Sequence, residues 1–163
     1  MKIKIFFSLL ASLIIAVSVF AGDGKTGYTG NWKIDKVKSS PSSSSLLLSE
    51  ISFKVNNDSL QTMRTYESSN GETYTFNENL TLDSKEYKIV IYEMPRKAKA
   101  QWSEKGSSLL IESTTTFTRD SDDQNVTSIE TWTLSESGNQ LTYDFVTKTS
   151  EGSEKGTLYF NKS

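Results

Sequence analysis

Cysteine and histidine are both absent from this chain, and only two prolines occur in its 163 residues. Without cysteine there is no disulfide, no thiol nucleophile and no lipid attachment through an N-terminal cysteine. Without histidine as well, Ser-His and Cys-His catalysis and the usual transition-metal sites are excluded. Positive charge is also in short supply, with 18 Lys and Arg against 20 Asp and Glu. Nucleic acid and anionic membrane require a basic surface, so neither is expected as a partner.

Long apolar runs are missing too, with one exception. Ile5 to Phe20 follows Lys2 and Lys4, and small residues stand at Val19 and Ala21. This is the pattern of a secretory leader over residues 1–21. Its removal leaves 163 − 21 = 142 residues, 22–163, as a single domain. Without Lys2 and Lys4, 18 − 2 = 16 basic side chains face 20 acidic ones, a net charge near −4. The expected location is the periplasm or the secreted fraction, where the mature chain crosses no membrane.

What the chain has in quantity is two-residue alternation. Beyond Gly22 no stretch shows a convincing helical period, and Gly, Asn, Asp and Ser clusters divide short runs. In "TYTFNENLTL", Tyr74, Phe76, Leu80 and Leu82 share one side, and so does Glu78. Strands are expected at 31–36, 50–56, 59–67, 73–82 and 86–92, with 42–49 a loop leading into the second.

Four turns divide the second half: Lys105-Gly106, Asp122-Asp123, Ser137-Gly138 and Glu151-Gly152. As two-residue hairpin loops, they set Ala98 opposite Ser113, Ser113 opposite Trp132, Trp132 opposite Tyr143 and Tyr143 opposite Phe160. Every apolar set then falls on one face, and a slip of one residue would reverse a strand. The other face carries Lys97, Lys99, Gln101, Glu112, Thr114, Thr116, Asp144 and Lys148, which is no lipid-facing band. The expected fold is all-β: an antiparallel up-and-down meander closed into a soluble β-barrel of about eight to ten strands.

"GNWKIDKVKSS", "RTYESSNGETYTF", "LTLDSKEY", "KAKAQWSEKGSSLLI", "ETWTLSESGNQLTY" and "KGTLYFNK" together resemble lipocalin-like small exported bacterial barrels. The resemblance implies that Trp32 closes one end of the barrel and that the interior binds a small apolar molecule. Typical lipocalins stack an arginine from a late strand on that tryptophan, and no Arg follows Arg119 here. Their disulfide and final helix also have no counterpart in this sequence.

The derived register gathers candidate ligand-binding residues on the inner face: Ala98, Trp102, Ser113, Thr115, Glu130, Trp132 and Tyr143. Small Ala98 and Ala100 leave room beside Trp102, and a few polar groups in an apolar pocket suit a small-molecule site. Arg64 and Glu78 are candidates for an internal ion pair, as is Arg64 with Glu130. Glu78 and Glu130 could alternatively form a glycosidase-like carboxylate pair. "RDSDDQN" (Arg119 to Asn125) lacks the glycine and terminal glutamate of an EF-hand loop. No cofactor, metal or enzymatic activity is expected. The competing reading is a filled barrel that acts as a protein–protein interaction module.

Overall fold

A computed structural model of the chain describes residues 25–39, 46–119 and 121–163. The leader assigned to residues 1–21 lies outside them. Ten strands are present: β1 (Gly30–Ile34), β2 (Leu46–Asn56), β3 (Ser59–Ser68), β4 (Thr73–Thr81) and β5 (Tyr87–Ile91). β6 (Met94–Trp102), β7 (Ser108–Arg119), β8 (Asp122–Leu134), β9 (Gln140–Thr149) and β10 (Gly152–Lys162) complete the set. They form one antiparallel sheet in the order β4-β3-β2-β1-β10-β9-β8-β7-β6-β5. First and last strands pair, with Ile34 opposite Phe160, so the sheet curls into a nearly closed barrel.

The remaining seam lies between consecutive strands β4 and β5, which have no ladder between them. Other contacts span it. Asp83 bridges to Gln101, and the Ser84 N–H donates to the Ala100 carbonyl at 3.0 Å. At the opposite end, the Tyr92 phenol takes the place of a neighbouring strand. It accepts from the Thr75 N–H (3.0 Å) and donates to the Thr75 carbonyl (2.7 Å).

Two of the four hairpin registers agree with the alternation as read: Ala98 opposite Ser113 and Trp132 opposite Tyr143. The other two are corrected by even numbers of residues. Ser113 faces Ser128, not Trp132, because Arg119 already pairs with Asp122. Ser121 supplies the positive φ that the turn needs. Thr116 and Thr118 donate across to Asn125 and Asp123 (2.7 and 2.9 Å), which carries the ladder through the supposed Asp-Asp turn. Tyr143 faces Leu158, not Phe160, since Gly152 pairs with Thr149. Because both shifts are even, every inward side chain stays inward.

β2 also begins earlier than expected. Leu46 to Ser49 are strand, not loop, and the register shifts between Leu48 and Glu50. This bulge places Leu48 and Ser49 both in the interior, which hides the two-residue period in "LLLSEI".

Phe145 folds over Gly156, its cross-strand partner, and stacks on Tyr143 with ring centres 5.2 Å apart. A Cβ at residue 156 would lie 2.7 Å from that ring. Gly156→Ala is therefore expected to destabilise the barrel by about 1–3 kcal/mol. Urea unfolding followed by tryptophan fluorescence measures this, and an unchanged midpoint would refute it.

Candidate functional site

One end of the barrel is closed by the segment before β1. A 3-10 turn, Thr26–Tyr28, buries the Tyr28 ring. The Tyr28 hydroxyl donates towards the Trp132 carbonyl (2.9 Å) and accepts from the Leu134 N–H (3.1 Å). The Trp32 indole is buried and donates to the Tyr28 carbonyl at 2.9 Å. The Lys162 ammonium lies over the Trp32 ring, with Nζ 5.1 Å from its centre.

Towards that end the interior is lined with packed aromatic and aliphatic side chains. Trp132 is completely buried against Phe53, Tyr143 and Phe160, stacking on Tyr143 at 4.1 Å. Ala98 and Ala100 are packed into this core with Leu109 and Ile111.

Above Trp132 lies a buried array of four charged side chains from four strands. Arg64 on β3 binds Glu130 on β8 through both terminal nitrogens (2.9 and 2.8 Å). Its Nε lies 3.4 Å from Glu78 on β4. Arg96 on β6 reaches Glu78 across the seam at 2.7 Å and donates to Thr115 at 3.2 Å. The Trp132 indole supplies a further donor to Glu130 at 3.0 Å. Bidentate geometry of this kind is what offsets removing such charges from water.

Burial alone would lower the Arg64 pKa, but Glu130, Tyr66 and Glu78 together hold it well above the ordinary arginine value. Burial would raise Glu78, and the flanking Arg64 and Arg96 outweigh it, so its carboxyl stays below the usual glutamate range. Desolvation pushes the Tyr66 and Tyr143 phenols up.

A pH dependence follows. Glu78 is depressed on folding, so its contribution is complete above the unfolded value of about 4.3 and is lost as pH falls through the folded one. The raised tyrosines contribute fully below about pH 10 and less as pH rises beyond it. Urea midpoints are expected to be flat from about pH 5 to 9 and to fall on both sides. A midpoint still rising between pH 5 and 3 would contradict this assignment.

Arg96 also forms the floor of an open mouth. A cavity of 890 Å³ lies there, walled by Tyr66, Tyr74, Phe76, Ile91, Met94 and Phe117, with Thr115 and Val126 on β7 and β8. A second cavity of 240 Å³ adjoins it, sharing Leu46, Tyr66, Arg96 and Val126, and reaches Glu130, Tyr143 and Phe145. Among the residues expected to bind a ligand, Thr115 lines the larger cavity and Glu130 and Tyr143 the smaller. Ala98, Trp102, Ser113 and Trp132 line neither. Ser113 instead has a buried hydroxyl with no hydrogen-bond partner among the described residues, and Trp102 packs edge-on against Tyr28 at the closed end.

Arg96 and the aromatic wall were not anticipated, although the parity that placed Ala98 and Ala100 inward places Arg96 inward too. Phe117 shares its side with Thr115, and Val126 with Glu130, by the same rule. Among the described residues, no group of three or more acidic side chains converges as a metal site. Among those residues, no helix is long and apolar enough to cross a membrane. Comparison with family models, curated proteins and solved structures finds no match to this chain. The nearly closed antiparallel barrel is nevertheless compatible with a lipocalin-like fold.

Proposed function

We propose that this protein is exported and binds a small, largely apolar molecule in the open mouth of its barrel. The carrying observation is the 890 Å³ cavity, whose walls are mostly apolar and whose floor offers a few fixed polar groups. Volume and composition match those of ligand sites in general. The leader-like segment 1–21 and the charged outer face support a soluble protein in the periplasm or outside the cell.

A non-catalytic role fits the chemistry. Glu78 and Glu130, the only carboxylates that suggested acid–base work, are each held by arginine, and Arg64 touches both. One observation favours the alternative interaction module. Leu46, Tyr74, Val90 and Tyr92 are exposed around or beside the mouth, Val90 at 70%.

Native mass spectrometry of the mature protein, with and without a fatty-acid and isoprenoid panel, separates these readings. A bound mass is expected that disappears in Val126→Trp, which fills both cavities, and persists in Ile129→Trp on the outer face. A clean unliganded mass under all conditions would turn the search to protein partners.

A further inference from the structure

Resting on that binding reading, we infer that the mouth selects an uncharged amphiphile. Its carbonyl or hydroxyl oxygen accepts a hydrogen bond from Arg96, and its apolar part lies along Tyr66, Phe76 and Phe117. The selectivity comes from the charge balance of the floor.

Two guanidinium and two carboxylate groups, Arg64, Arg96, Glu78 and Glu130, neutralise one another within direct contact. Arg64 and Glu78 are wholly buried, and Glu130 is nearly so. No charge is left over for a ligand to pair with.

An anionic head would therefore compete with Glu78 for Arg96. It would also approach Glu72 at the rim of the larger cavity and Glu154 in the wall of the smaller. A cationic head descending to the floor would meet the guanidinium of Arg96. At the floor itself an anion finds no uncommitted cation, and a cation finds both carboxylates already paired with arginine, so either charge would be poorly compensated there.

A neutral acceptor meets neither obstacle. A guanidinium has five N–H donors. Those of Arg96 make three hydrogen bonds, two to Glu78 and one to Thr115. Donor capacity remains at a residue that lines both cavities. An oxygen on an otherwise apolar molecule can use it without disturbing the array.

Three probes of similar tail length test this by calorimetric titration at pH 7, below their micelle concentrations: 2-undecanone, decanoate and decylammonium. The expected result is at least tenfold tighter binding of 2-undecanone than of either ion. In Glu78→Gln, which gives the floor one net positive charge, decanoate is expected to gain at least tenfold relative to 2-undecanone. Should that variant fail to fold, the comparison in the unaltered protein decides alone. Decanoate or decylammonium binding as tightly as the ketone overturns the neutral-ligand inference but leaves a binding barrel. Absence of binding by all three, with no bound mass in the native spectrum, overturns both.

Discussion

Arg64→Met will lower the stability of this barrel by about 3–5 kcal/mol, the cost of breaking a buried ion pair by removing one partner. The side chain is fully buried and makes two short bonds to Glu130. Its loss leaves Glu130 with the Trp132 indole and Glu78 with Arg96. Glu130 then carries a charge in the interior that one neutral donor cannot balance. For a domain whose whole stability is about 5–15 kcal/mol, such a loss brings the midpoint close to unfolding at ambient temperature.

Arg64→Met combined with Glu130→Met should recover at least half of that loss, because the stranded charge goes with its partner. Chemical denaturation of the two single variants and the double variant closes the cycle. A loss under 1 kcal/mol for Arg64→Met alone would show that solvent reaches the array.

Trp132→Ala is the second large effect, expected at about 3–5 kcal/mol. This indole has no exposed surface, stacks on Tyr143 and touches Phe53 and Phe160. It is also the remaining donor to Glu130 beside Arg64. Truncation therefore leaves a void in that packed region and a weaker support under the charged floor. Trp102→Ala is the control, since that ring is only partly buried and lies towards the closed end. Thermal unfolding should fall several times further for Trp132→Ala than for Trp102→Ala. Equal shifts would mean that the closed end, not the middle, limits stability.

These residues show what was legible in the sequence. Glu130 and Trp132 could be assigned to the inner face from alternation, because side-chain direction in a strand depends only on parity. Arg64 joined them only if the turn before β4 has an odd loop. Even the misplaced β7–β8 turn left Glu130 facing inward. Its cross-strand partner was a different matter. The register that set Ser113 opposite Trp132 also set Glu130 opposite Thr115, whereas Glu130 lies opposite Ile111, four residues away along β7. Thr115 instead serves Arg96.

The closed end was partly legible. Trp32 stood out as a large ring on the first strand, whereas Tyr28 precedes that strand and belongs to no alternation. Its burial depends on a short turn folding back over the barrel, and its hydroxyl bonds to residues more than a hundred positions away.

By itself, the sequence determined that this chain is an antiparallel β meander, which side chains face inward, and that charged groups share its interior with aromatics. Those properties follow from a period of two and from turn residues, both local. The tertiary structure alone decided that the seam falls between β4 and β5, that Arg96 completes a neutral array across it, and that open space lies above that array instead of beside Ala98. Each of these depends on how far one strand slides past another and on which strands meet when the sheet closes. Slides of two or four residues leave the alternation unchanged, so the pattern of apolar residues carries no record of them.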